Sequence, residues 1–179
     1  EISGGLVILV KNNINSKDKI NYIYNNFNEQ NGDVLNTFKK RGYQQLDILL
    51  GNDNISIINC HLNYCSEKCS YREKQIQELE LLGNKCNHCI LLGDFNTISD
   101  FNEIKLDEFI DTLKDSSDVT WDSSNYLTQT CLSKPVNRRI DYIFIKNLDL
   151  KSSSVIFKQP IASDHYGVSA EIFIKKNKK

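Results

Sequence analysis

The sequence has no apolar run near about 18 residues, which argues against a membrane-spanning helix. It has no basic stretch ahead of its first apolar segment. Residues 1–10 read EISGGLVILV and open on an acid, so no secretory leader is expected. It has almost no net charge: 22 basic residues stand against 23 acidic ones, −1 overall. Bulk electrostatics therefore neither recruit nor repel a polyanion, and any affinity for phosphate rests on local patches. It has no repeat, no linker and no second domain. A length of 179 residues with 40% hydrophobic side chains suits one globular domain. That domain is taken as residues 1–174, with the KKNKK of 175–179 a solvated end.

Six cysteines stand at 60, 65, 69, 86, 89 and 131. The pairs Cys65/Cys69 and Cys86/Cys89 have the look of zinc ligands. The stretch between them reads as a helix over 70–83 that spans about 20 Å, which separates the pairs too far for one tetrahedral ion. No common metal on Cys65, Cys69, Cys86 and Cys89 is expected. Cys60 sits in an apolar strand and reads as a small buried hydrophobe. Free thiols in this number favour a reducing compartment.

Residues 5–11, GLVILVK, have the length and continuity of a buried strand. Residues 12–33 are rich in Asn, Lys and Tyr without a clear period, which predicts an irregular solvated segment. Residues 45–50 and 55–62 read as strands joined by the turn formers Gly51, Asn52, Asp53 and Asn54, a hairpin. In SYREKQIQELELLG, Ser70 and Glu73 have capping-box spacing, Ile76, Leu79 and Leu82 share a face, and Gly83 is a natural stop. A strand follows at 89–93. Asp100 and Glu103 repeat the capping pattern. Leu106, Phe109, Ile110 and Leu113 recur at helical spacing, which predicts a helix over 103–114. Residues 115–138 are polar and loop-like around Trp121, and strands recur at 140–145, 153–158 and 168–174. Strand pairs and strand–helix–strand units together imply an α/β protein with mixed sheets.

Three of these strands carry polar groups at their ends. Asn59 and His61 close one, Asp94 and Asn96 follow the next, and Asp164 and His165 precede the last. Strand ends sharing a rim are where α/β proteins gather functional groups. The residue types suit phosphodiester hydrolysis: carboxylates hold a divalent ion and orient a water, and imidazoles donate to phosphate or leaving group. Taken singly, GDFN also reads as an ordinary turn, and Asp-His as a cap or a surface ion pair. Asp141 is different. It lies in the apolar strand IDYIFI, where a carboxylate is costly to bury unless paired. His165 is the candidate partner, since a carboxylate behind a histidine sets its tautomer and stabilises the imidazolium.

In order, NCHL (59–62), LLGDFN (91–96), RRIDYIF (138–144) and SDHYGV (163–168) resemble the endonuclease/exonuclease/phosphatase superfamily, over about residues 3–174. The resemblance implies an α/β four-layer sandwich of the DNase I-like type, two mixed β-sheets flanked by helices. It implies a Mg2+- or Mn2+-dependent phosphodiesterase. By position, Asp94 resembles the carboxylate that orients the attacking water, and Asn96 its companion at the scissile phosphate. His165 resembles the phosphate-binding histidine, Asp141 its orienting partner and Asp164 a metal-site carboxylate. His61 resembles the histidine placed against phosphate or leaving group. Two strands that in the family precede the GLVILVK-like strand, one bearing an Asn and one ending in a metal-binding Glu, have no counterpart here. The resemblance therefore implies a domain lacking its first strands, with weak metal binding and poor hydrolysis by these residues alone.

Two substrate classes fit. GDVLNTFKKRGYQQLDILL and VTWDSSNYL resemble sphingomyelinase-type segments, which implies a phospholipid. A rim of Lys39, Lys40, Arg41, Lys68, Arg72, Lys134, Arg138 and Arg139, with Tyr43, Tyr64 or Trp121 to stack on bases, would suit a nucleic acid. The same basic residues also read as a plain solvated surface. A third reading is a catalytically inactive member that serves as a binding module.

Overall fold

The structure, a computed structural model, describes residues 2–3, 6–11, 21–28, 39–128 and 136–174. Its elements are β1 (Ile2–Ser3), β2 (Asn21–Asn26), β3 (Lys39–Lys40), β4 (Gly42–Leu50), β5 (Asp53–His61), α1 (Ser70–Asn84), β6 (His88–Asp94), β7 (Ile110–Asp111), β8 (Asp141–Lys146), β9 (Leu148–Ile156) and β10 (Gly167–Ile174). Six of the strands form one mixed sheet in the order β2-β4-β5-β6-β8-β7, in which β5 and β6 run parallel and the other pairs antiparallel. β9 and β10 make a separate antiparallel pair, and β1 and β3 a short parallel one.

Side-chain alternation assigns the two faces of the large sheet. Tyr43, Ile58, Cys60, Cys89, Leu91, Tyr142 and Phe144 point to one face and form the main core with Ile76 and Leu79 of α1. Ile48, Ile55, Ile57 and Ile90 point to the other, where with Leu148, Ile172, Phe173 and Ile174 they line an apolar pocket of about 280 Å³. The β9–β10 pair thus covers the face opposite α1. This is an α/β sandwich, with one helical layer among the described residues.

The expected hairpin is present: Leu50 pairs with Asp53, so Gly51 and Asn52 alone make the turn, and Gly51 has φ +65°. The helix after it also forms, but its start differs. Cys69 is the N-cap and Ser70 the first helical residue, with no side-chain cap bond. Glu73 instead pairs with Lys68 at 2.9 Å. Gly83 lies inside the helix rather than after it, and its bare Cα admits the Phe109 ring.

Three expectations fail. Residues 6–11 join no ladder. They lie across the sheet face opposite α1, where Gln44 Nε2 donates to Leu6 O at 2.6 Å and Asn59 Nδ2 to Val7 O at 3.3 Å. Within the segment read as irregular, residues 21–26 form the edge strand β2. All six are exposed, so no apolar alternation marks them. What holds β2 is its ladder to β4 and the next residue, Phe27, which is buried against Tyr43. The helix expected over 103–114 is absent. Leu106 and Leu113 are buried as its pattern requires, but successive turns achieve this, and Ile110–Asp111 becomes the strand β7. Glu103, read as a cap residue, is drawn into the core by Arg72. Lys134, Cys131 and the 175–179 tail lie outside the described residues.

Candidate active site

Register builds the site. Across three adjacent strands, His61 pairs with Asp94 and Asp94 with Asp141. These three side chains therefore lie side by side at one end of the sheet, on the face opposite α1. Gly93 allows the close approach. It has φ +137°, and a Cβ there would collide with the Cys60 carbonyl. Beyond Asp94 the chain turns through Asn96 in the left-handed region, φ 50°. Asn96 N donates to Asp94 Oδ1 at 2.8 Å, and Asn96 Nδ2 to Leu62 O at 2.9 Å. GDFN is thus a turn that also presents its carboxylate to a pocket.

His165 arrives from the segment before β10. Its Nδ1 lies 2.8 Å from Asp141 Oδ2, so the expected contact is present. Burial alone would lower the His165 pKa, but the bond and charge of Asp141, with Asp94 and Asp164, outweigh it and raise the pKa to about 8. The imidazolium is thus favoured at neutral pH. Burial pushes the Asp141 carboxyl up, with nearby Asp94 adding to the rise and His165 opposing it.

His61 Nε2 meets two groups, Arg41 Nη1 at 2.5 Å and Asp94 Oδ2 at 3.2 Å. Arginine only donates and an ionised carboxylate only accepts. One ring nitrogen satisfies one of them at a time, and the ring tautomer decides which.

Arg41, His61, Tyr64, Ser66, Asp94, Asn96, Trp121, Arg138 and His165 line one pocket of about 320 Å³. Ligand atoms of Asp94, Asp141 and His165 all lie within 4.8 Å of one another. Asp164, read from the sequence as a metal-site carboxylate, is not one of these three, though its charge acts on His165. Its Oδ1 accepts the Ser163 hydroxyl at 3.0 Å. The proposed basic rim also shrinks. Arg72 is buried against Glu103, Arg139 pairs with Asp111, Lys68 with Glu73, and Tyr43 belongs to the core. Arg41 and Arg138 reach the pocket, with Trp121 and Tyr64 as its aromatic walls.

The sequence profile of the Endonuclease/Exonuclease/phosphatase family matches residues 1–165. The chain belongs to the endonuclease/exonuclease/phosphatase family. Solved structures agree on the fold. D. rerio TDP2, in complex with a single strand DNA product, is similar with a TM-score of 0.67 at 16% identity, over 89% of this chain and 70% of that one. Beta toxin from Staphylococcus aureus gives 0.66 at 20% identity, over 87% and 65%. An endonuclease/exonuclease/phosphatase family protein from Leptotrichia buccalis gives 0.63 at 26% identity, over 86% and 61%. This chain thus spans 61–70% of the length of these three structures. No curated protein sequence matches it.

Sequence reasoning missed the supports of this family site. Thr120 is fully buried, and its hydroxyl accepts the amides of Ile140 and Asp141 at 3.1 and 3.2 Å. Its carbonyl accepts Tyr166 N at 2.7 Å, so Thr120 holds the Asp141 and His165 segments together. Trp121 exchanges backbone bonds with Arg138, and its ring stands edge-on to His165, 4.8 Å between centroids. Asn125, also fully buried, donates to the carbonyls of Ser163 and Asp164. These residues lie in a loop without period. The available signal was small polar residues clustered about the single tryptophan.

Proposed function

We propose that this chain hydrolyses a phosphodiester with a divalent cation, and that the substrate is a nucleic acid strand. The observation that carries the reading is the cluster of Asp94, Asp141 and His165, of which Asp94 and His165 line a pocket that also contains Arg41 and Arg138. Two carboxylates on adjacent strands suit a hard ion such as Mg2+ or Mn2+, which takes oxygen ligands and retains waters. Asp94 and Asp141 would hold it, with Asp164 as a further carboxylate near His165. When bound, the ion supplies positive charge to the phosphate oxygens.

The protein groups then divide the remaining work. Asp94, its Oδ1 fixed by the Asn96 amide, orients the attacking water and takes its proton. His165, tied through Nδ1 to Asp141, presents Nε2 to a non-bridging phosphate oxygen, and as a cation steadies the charge that develops there. Asp141 positions it. His61 faces the leaving group, and Asn96 packs beside the scissile phosphate. Arg41 and Arg138 with Trp121 and Tyr64 suit successive phosphates and planar bases. A headgroup that ends in a quaternary ammonium would instead meet two like charges.

The test is single-turnover cleavage, with protein in excess, of a labelled single-stranded DNA and of sphingomyelin vesicles, each with Mg2+ and with Mn2+. Metal-dependent cleavage of the DNA is expected, reduced about 10²-fold or more in Asp94→Asn. Cleavage of the vesicles alone would assign the phospholipid substrate instead. DNA binding without any cleavage would replace the hydrolase with the binding module.

A further inference from the structure

The large sheet ends on one side in β7 and on the other in β2. An edge strand presents unpaired N–H and C=O groups, and proteins blunt such edges with short length, charge, proline or a bulge. β7 is short, Ile110–Asp111, and its Asp111 pairs with Arg139. The β9–β10 pair carries Asp149, Lys151 and Glu171, with a bulge between Glu171 and Ile172. β2 has none of these devices. It reads Asn21-Tyr22-Ile23-Tyr24-Asn25-Asn26, with no charge, no proline and no shift in its ladder to β4. Every one of its residues is exposed, and among the described residues no strand pairs with its outer side. Tyr22, Ile23 and Tyr24 keep 53%, 38% and 36% of their surface in solvent.

Register decides which backbone groups are open. In an antiparallel ladder the N–H and C=O of one residue point to the same side, and the side alternates along the strand. Asn26 stands opposite Gly42, so Phe27 follows opposite Arg41, and Phe27 N donates to Arg41 O at 3.1 Å. Asn21, Ile23 and Asn25 therefore direct their backbone groups to β4. Tyr22, Tyr24 and Asn26 direct theirs outward. An antiparallel partner has to set outward residues against outward residues. A second β2 does so about a two-fold axis at Tyr24. Tyr24 then faces the partner's Tyr24, and Tyr22 faces the partner's Asn26. All the outward groups are used, in about six main-chain hydrogen bonds. An axis at Ile23 would leave Asn26 opposite no residue of the strand. The tyrosines meet on one face, where the Tyr22 hydroxyl accepts Gln44 Nε2 at 2.8 Å.

We propose that this chain self-associates through β2, and that the partner is a second copy of the chain in two-fold antiparallel pairing. Charge favours this occupant, because a strand without charge meets its own copy with no like-charge pair across the axis. A two-fold contact is closed, so association stops at the dimer. One strand a side falls short of the roughly 20–30 residues that a stable interface takes, so the dimer forms reversibly as concentration rises. β2 runs toward the candidate site, since Asn26 pairs with Gly42 and Gly42 with His61. The two-fold axis thus puts the two sites at opposite ends of the joined sheet. No β2 residue lines the site pocket, and both pockets stay open.

The test is sedimentation velocity of the native chain over roughly 10–500 µM. The average sedimentation coefficient should rise with concentration from monomer toward dimer. Tyr24→Pro should hold the chain monomeric throughout with an unchanged circular dichroism spectrum, because the Tyr24 N–H is not used by β4. Tyr24→Lys and Tyr24→Glu alter only an exposed side chain and decide the matter if the proline variant does not fold. Each should be monomeric alone, since like charges then face across the axis, and an equimolar mixture of the two should recover the dimer. A native chain still monomeric at about 500 µM overturns the proposal. So does a dimer undiminished in Tyr24→Lys, or a mixture no more associated than its components. None of these readouts involves hydrolysis, so this result and the phosphodiesterase result stand or fall separately.

Discussion

Two pairs in this molecule are built from like parts and do different work. Arg72 and Glu103 form a bidentate ion pair, 2.6 and 2.8 Å, with both side chains 0% exposed. Asp141 and His165 form a single contact at 2.8 Å, with side chains 20% and 24% exposed. Around the first pair nearly every donor is used. Arg72 also donates to the carbonyls of Cys65 and Glu67, and Glu103 accepts the amide of Cys69 and the hydroxyl of Thr97. It therefore acts as a rivet between the segment that follows His61 and the segment that follows Asn96. A disulfide joins Cys65 and Cys69 within the first of these segments. That bond removes two thiols from the count on which the reducing-compartment expectation rested. Around the second pair one ring nitrogen remains directed at the pocket. The difference teaches that chemistry is set less by which charges meet than by whether any of their bonding capacity is left open to a ligand.

The largest expected effect separates the two directly. Arg72→Met should cost about 3–5 kcal/mol by stranding Glu103, read as a fall in the urea midpoint. Adding Glu103→Leu to that variant should recover most of it, since a buried charge is then no longer left alone. A loss below about 1 kcal/mol for the single change would break the rivet reading.

Asp141→Asn should do the opposite. Stability should change by about 1–2 kcal/mol at most, while metal-dependent cleavage falls about 10²-fold or more. The His165 pKa, followed by NMR, should drop from about 8 toward or below its ordinary 6.5, because burial then acts unopposed by the carboxylate. An unchanged titration would show that Asp141 does not position the ring.

The pairs should also differ in pH response, measured as urea midpoint in a chelating buffer. The Glu103 pKa is lowered: burial works to raise it, but Arg72, Thr97 and the Cys69 amide outweigh that. Its stabilisation is present above the ordinary 4.5 and lost as pH falls through the lower folded value. The His165 pKa is raised, so its stabilisation is full below 6.5 and lost as pH rises through about 8. The His165 loss should be on the order of 1 kcal/mol, and for Glu103 the expected outcome is the direction of the midpoint change. Asp141→Asn should erase the alkaline loss and leave the acid one. The smallest effect belongs to a third pair, Lys151–Glu171, with side chains 57% and 53% exposed. Lys151→Ala should shift stability by no more than about 0.5 kcal/mol.

Much of the strand framework was legible because it leaves local marks. The runs that became β5, β6 and β8 are apolar and β-branched, and Gly51–Asn52 is a turn by composition. β2 was invisible because an edge strand exposed along its length needs no apolar face. The false helix at 103–114 shows the limit of periodicity. Leu106, Phe109 and Leu113 do face the core, but a series of turns around β7 brings them there as well as a helix would.

By itself the sequence determined the family, through four ordered motifs, and the identity of the groups at the strand ends. His61, Asp94, Asp141 and His165 were all readable as candidates, because polar residues that interrupt apolar strands stand out locally. Only the tertiary structure decided how they combine. It grouped Asp94 with Asp141 and His165, brought Arg41 onto His61, took Arg72 out of the pocket, and recruited Thr120, Trp121 and Asn125 as supports. The physical reason is that ion pairs and hydrogen bonds between residues 20–40 positions apart depend on register and loop path, which leave no trace in local composition.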